Sequence, residues 1–140
     1  MKRVLVFTAA LFFCISAKAF EGSPTQQVAK FFSTVKSGEN AEAVDRLYSS
    51  NPLLNQKPQQ LAMLKQQLGT IVSLYGNLSG TENIHTEQLS SSLVRIVELA
   101  KHEQHPVVWE FYFYKPNEKW FISQGTFNDQ FKSIGAKKGM

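Results

Sequence analysis

Cysteine is almost missing: the 140 residues hold one, Cys14, inside an apolar N-terminal run. The rest of the chain therefore excludes disulfide scaffolds, thiolate metal sites and cysteine nucleophiles, and its stability has to come from a packed core. Excess charge is nearly missing too. Fifteen basic and eleven acidic residues give +4, but Lys2, Arg3 and Lys18 lie in the N-terminal segment, and without them twelve face eleven. The isoelectric point near 9.2 is thus no sign of nucleic-acid binding, which requires clustered cations. Lys132, Lys137 and Lys138 form the one local excess and read as a solvated tail. There is no Gly-rich phosphate loop, no serine in a nucleophile-elbow setting, no internal repeat and no low-complexity tract.

The N-terminus itself carries a recognisable signal. Lys2 and Arg3 precede an apolar run from Val4 to Ile15, and Ala17 and Ala19 make an A-x-A cleavage site. This is the pattern of a secretory signal peptide over residues 1–19. Its apolar core falls short of the roughly twenty residues that span a bilayer. Cys14 lacks the small residues before it that lipoprotein processing needs. The expectation is a periplasmic or secreted protein beginning at Phe20, with no membrane span after cleavage. Residues 20–134 suffice for a single domain, with 135–140 as a flexible basic tail.

Ser23-Pro24-Thr25-Gln26 is a helix start with the ingredients of a capping box, followed by Val28, Phe31, Phe32 and Val35 at helical spacing up to Ser37-Gly38. A second, short helix is expected from Asn40 as cap, with Ala43, Val44, Leu47 and Tyr48 inward, ending before Asn51-Pro52. A loop through Asn55 and Lys57-Pro58 leads to a third helix, with Leu61, Leu64, Leu68, Ile71, Val72 and Tyr75 on one side and Gly76 at its end. From Asn77 the period changes to two. Strands are expected at about Leu78 to Leu89, Leu93 to Glu103, Val107 to Lys115 and Trp120 to Asn128, and their short connections make them an antiparallel meander. The fold class is α+β: three N-terminal helices on one face of a curved four-stranded antiparallel sheet.

The densest stretch is the hairpin from His105 to Ile122, which holds both tryptophans. Alternation puts Val107, Trp109, Phe111 and Phe113 on the helix-facing side, and Val108, Glu110, Tyr112 and Tyr114 on the other. Counting registers across the turns sets Ile122, Gln124 and Thr126 opposite Phe113, Phe111 and Trp109. It also sets Val97 and Arg95 beside Trp109 and Phe111, with Glu87 opposite Arg95 and His85 opposite Val97. A polar island of His85, Glu87, Arg95, Gln124 and Thr126 would then lie under the helices. Such an island reads either as a pocket or as a Glu87–Arg95 cross-strand ion pair at the sheet margin. The opposite face would carry Val94, Ile96, Val108, Tyr112, Tyr114, Phe121 and Phe127 around Glu98 and Glu110. So apolar a face suits an interface, unless the segment from Phe131 to Ile134 covers it.

The third helix running into Leu74-Tyr75-Gly76, and the run from Pro106 to Pro116 with Trp120, give this chain a family likeness. It resembles the nuclear transport factor 2-like superfamily, the cone-shaped fold shared with ketosteroid isomerases and scytalone dehydratase. The resemblance implies a pocket beneath the helices and dimerisation through the sheet. Catalytic members place a carboxylate, histidine or tyrosine in the cone, and no such motif matches here residue by residue.

Two functions are expected from different classes. The first is a non-catalytic periplasmic domain binding a small apolar ligand or an envelope protein, with Tyr75, Arg95, Trp109, Phe111, Gln124 and Thr126 lining a pocket. Val108, Tyr112, Tyr114 and Phe121 would form a homodimer face. The alternative is a small isomerase, dehydratase or hydrolase working through His85, Glu87 and Arg95. No metal or cofactor is expected, because His102 and His105 supply two nitrogens without a third ligand.

Overall fold

In the computed structural model, which describes residues 18–131, the first helix starts where Ser23 and Gln26 cap each other. The Gln26 amide donates to Ser23 Oγ at 3.3 Å and the Ser23 amide donates to Gln26 Oε1 at 2.9 Å. Helix α1 (Pro24–Lys36) is followed by α2 (Asn40–Tyr48), in which Asn40 is the first helical residue and Glu39 the cap position. Residues 1–17 of the expected signal peptide, and 132–140 with the expected basic tail, lie outside the described residues.

The described residues form four helices, not three. Asn51-Pro52 reads as a stop for α2, yet it is also a start: Asn51 Oδ1 accepts from the Leu53 and Leu54 amides at 2.9 and 3.2 Å, and Pro52 takes the first helical position. The result is α3 (Pro52–Asn55), in the stretch expected to be loop. Helix α4 (Pro58–Tyr75) ends at Gly76, whose φ of 85° suits glycine. Strands β1 (Leu78–Ser90), β2 (Leu93–His102), β3 (Pro106–Tyr114) and β4 (Phe121–Asn128) form an open antiparallel sheet in the order β1-β2-β3-β4. The α+β expectation holds at that level.

The core lies between the helices and one sheet face. Phe31 of α1 packs on Trp109 and Phe111 at ring separations of 5.4 and 5.8 Å, and Phe32 on the same pair at 6.0 and 5.9 Å. Val107, Trp109, Phe111 and Phe113 are buried on this side, as alternation implies. Two side-chain amides tie the helical layer to the start of β4: Gln27 Nε2 donates to the carbonyl of Trp120, just before the strand, at 2.9 Å, and Asn51 Nδ2 to the Ile122 carbonyl within it at 2.6 Å.

Two registers differ from expectation, each by one residue. Lys101 pairs with Pro106, so Phe111 faces Ile96 and Trp109 faces Glu98, not Arg95 and Val97. The turn is held to the α4–β1 junction: the Gln104 amide donates to the Tyr75 carbonyl, the Glu103 amide to Asn77, and His102 Nδ1 to the Gly76 carbonyl at 2.9 Å. In β4, Phe113 does face Ile122, but a bulge leaves Ser123 without a register partner, so Phe111 faces Gly125 and Trp109 faces Phe127. The β1–β2 pairs Glu87–Arg95 and His85–Val97 are as expected.

Gly125 marks a close approach. A Cβ there would overlap the Tyr48 hydroxyl and come within 3.6 Å of Phe111. Gly125→Ala should cost about 1–3 kcal/mol by overpacking. Adding Tyr48→Phe should restore most of it, as thermal unfolding of the single and double variants can measure.

Burial also pushes the Tyr48 hydroxyl up to about 12. A tyrosine raised in the fold contributes stability that is complete below its unfolded value of about 10 and is lost as pH climbs through the folded value. Melting temperature should therefore drop between about pH 10 and 12. The drop should be smaller in Tyr48→Phe, which differential scanning calorimetry across that range checks.

Candidate functional site

On the sheet face away from the helices, antiparallel pairing lines the side chains up in rows. Leu93, Tyr114 and Phe121 form the first row; Glu87, Arg95, Tyr112 and Gln124 the second; His85, Val97, Glu110 and Thr126 the third; Glu82, Leu99, Val108 and Asn128 the fourth. The whole expected island is present as a set, but on this outer face. Arg95, Gln124 and Thr126 do not share a side with Trp109 and Phe111. The slip at the β2–β3 turn moved β2, and β1 with it, while the bulge at Ser123 moved the later part of β4. Conversely Val94, Ile96, Glu98 and Phe127, expected outside, lie beneath the helices.

The island is internally bonded around Glu110. Arg95 Nε donates to Glu110 Oε1 at 2.9 Å, and the Tyr112 hydroxyl donates to the same oxygen at 2.7 Å. Arg95 also lies 3.7 Å from Glu87, and His85 Nε2 lies 3.6 Å from Glu87 Oε2. The bond to Glu110 is the main reason the Arg95 guanidinium is held still more firmly in its charged form. The same carboxylate, followed by burial, raises Tyr112, because a phenolate would stand beside a negative oxygen. Arg95 is 14% exposed, whereas His85 and Glu87 are 53% and 45% exposed. The expected ion pair is therefore one arm of a larger network whose hub is half-buried.

Around this network the face is apolar. Val97 and Val108 are buried although alternation points them away from the helices, while Tyr114 is 41% exposed and packs edge-on against Phe121 at 5.7 Å. Val108, Tyr112, Tyr114 and Phe121 share this face, as the alternation of the hairpin implies.

Tyr75 sits elsewhere. It lines a groove of about 390 Å³ between the second half of α4 and the end of β4, with Ile71, Leu74, Phe127 and Asp129 among its neighbours. Its hydroxyl donates to Asp129 Oδ2 at 2.6 Å, and that bond raises it. Its ring lies 4.8 Å from His105, which in turn stacks on Phe131 at 5.6 Å. His102 and His105 thus serve different contacts. Among the described residues no group of three or more His, Cys, Asp or Glu could hold a metal ion, and no helix is long and apolar enough to cross a membrane.

Buried polar side chains lie on the helix side too. Gln27 and Asn51 belong to the fold, and Glu98, expected on the outer face, is 7% exposed beside Trp109 and accepts from Asn83 Nδ2 at 2.7 Å. Only Asn51 had a usable sign, the Asn-Pro pair that opens a helix as readily as it closes one.

The fold and site define an α+β protein with helices on one side of a four-stranded antiparallel meander and a charged, tyrosine-rich cluster on the other. Compared with known proteins, no family model, curated protein or solved structure matches the chain.

A double-mutant cycle separates a hub from a surface contact. Arg95→Met with Glu110→Gln should show a coupling of about 1.5 kcal/mol or more, as for a hydrogen bond to a charged group. The Lys101–Glu82 pair, at 3.0 Å but exposed, should show well under about 1 kcal/mol. Chemical denaturation of both sets checks the difference.

Proposed function

We propose that this chain is a non-catalytic periplasmic binding domain that holds a protein partner on its outer sheet face, a second copy of itself in the first instance. The observation that carries the reading is the row of Leu93, Tyr114 and Phe121 beside Tyr112, on the face opposite the helices. Amphipathic aromatic side chains flank a network in which Arg95 pairs with both Glu87 and Glu110, and such side chains suit a protein interface. The export signal supports a periplasmic setting. The succession of helices and a four-stranded meander supports the resemblance to nuclear transport factor 2-like domains.

The small-ligand side of the reading draws less support. Trp109 and Phe111 are 1% and 0% exposed beneath Phe31 and Phe32, so side chains occupy the space where a ligand beneath the helices would sit. His85, Glu87 and Arg95 do come together, which is what the enzyme alternative asks. They do so with His85 and Glu87 about half exposed, where water competes for any proton transfer.

Light scattering of the exported chain should give the mass of a dimer. Tyr114→Arg with Phe121→Arg should give a monomer with an unchanged melting temperature. A wild-type monomer, together with no cross-link to any envelope protein from a photoreactive residue at position 114 in living cells, contradicts the proposal.

A further inference from the structure

The first described residues, 18–22, are bonded to the helices one after another, although they precede α1. Phe20 belongs to the buried core and is 4% exposed. Its amide donates at 3.2 Å to the carbonyl of Arg46, in the last turn of α2, which also accepts from the Ser49 hydroxyl at 3.1 Å. Carbonyls at a helix end lack a helical amide of their own and take such partners. The Arg46 side chain turns back over the same stretch: its Nε donates to the Lys18 carbonyl at 3.0 Å, and its guanidinium lies 4.4 Å from the centre of the Phe20 ring. Lys30 Nζ donates to the Glu21 carbonyl at 2.8 Å, and the buried Gln27 amide to the Gly22 carbonyl at 3.0 Å. Arg46 thus grips the chain on both sides of the Ala19–Phe20 bond, the one that the A-x-A pattern marks for cleavage.

We propose that this contact is a latch on the processing site: the Ala19–Phe20 bond is open to a signal peptidase only until the helices close over Phe20, so cleavage has to precede folding. The inference rests on the export reading above. A protein that binds an extended peptide does so through main-chain hydrogen bonds and pockets for alternate side chains. In the folded chain the Phe20 amide, the Phe20 ring and the Lys18 carbonyl are already committed to α2 and the core. A peptidase can take them only from molecules in which the segment has come away, and its rate then follows the population of that open form. Cleavage adds water across the bond and leaves a carboxylate on Ala19 and an ammonium on Phe20. On the mature side the contacts survive, because the Phe20 nitrogen still has protons for the Arg46 carbonyl and its ring keeps its place. A chain that folds too soon keeps its N-terminal segment.

The test compares the folded full chain with a peptide of residues 1–30, both incubated with detergent-solubilised signal peptidase and the cut located by mass spectrometry. The peptide has the junction without α2 and should be cut after Ala19; the folded chain should be cut about tenfold more slowly or worse. Arg46→Met leaves the junction sequence untouched but removes the bond to Lys18 and the cation over Phe20. Its cleavage should rise about fivefold, the worth of one hydrogen bond. Lys30→Met removes the exposed bond to Glu21, should act in the same direction, and carries the comparison if melting curves show Arg46→Met unfolded. A peptide that resists the enzyme brings down the export reading and the proposal with it. A cut peptide with an equally fast folded chain, or with folded variants no faster than wild type, overturns the proposal alone.

Discussion

Phe31 and Phe32, neighbours on α1, both press on Trp109 and Phe111, and this contact decides which way the sheet faces. Burying four such side chains is worth about 6–12 kcal/mol, since each contributes roughly 1.5–3. That matches the whole net stability of a domain, about 5–15 kcal/mol. Turning β3 over by one residue would forfeit it. With β3 fixed, each neighbouring strand is assigned a face by its own register, and the polar residues go wherever that register sends them.

What could be read in advance follows from how one-sided each strand is. In β3 one parity is wholly apolar, Val107, Trp109, Phe111 and Phe113, while Glu110 breaks the other, so alternation alone identified its faces. In β2, Val94 and Ile96 stand at one parity and Leu93, Val97 and Leu99 at the other, so a period of two could not choose. The deciding contacts are long-range: the backbone bonds from Glu103 and Gln104 to Asn77 and Tyr75, and the inward ring of His102. No local pattern encodes them. The bulge at Ser123 was equally silent. His85, Glu87 and Arg95 stayed together because the β1–β2 hairpin was read in the right register. The set was therefore recognisable, and only its side of the sheet was not. The capping box of α1 was legible because its chemistry is complete within four residues, whereas the Asn51-Pro52 pair carries two meanings.

The change of face alters what the polar residues can do. Beneath the helices, Arg95 and Glu87 would have faced Trp109 and Phe111 in a dry site, the setting for ligand recognition or catalysis. On the outer face they are partly wet and satisfied by one another, with Glu110 accepting from both Arg95 and Tyr112. A network of this kind holds its tyrosine and arginine in fixed positions beside exposed aromatic surface. The proposed docking of another protein surface rests on that arrangement.

All of this rests on the register between β2 and β3. Nuclear Overhauser contacts in the isotope-labelled protein test it directly. The Ile96 methyl groups should show cross-peaks to the Phe111 ring, and the Arg95 side chain should show them to the Tyr112 ring. Cross-peaks from Arg95 to Phe111 and from Val97 to Trp109 would instead put the polar cluster beneath the helices, and would contradict the outer-face site.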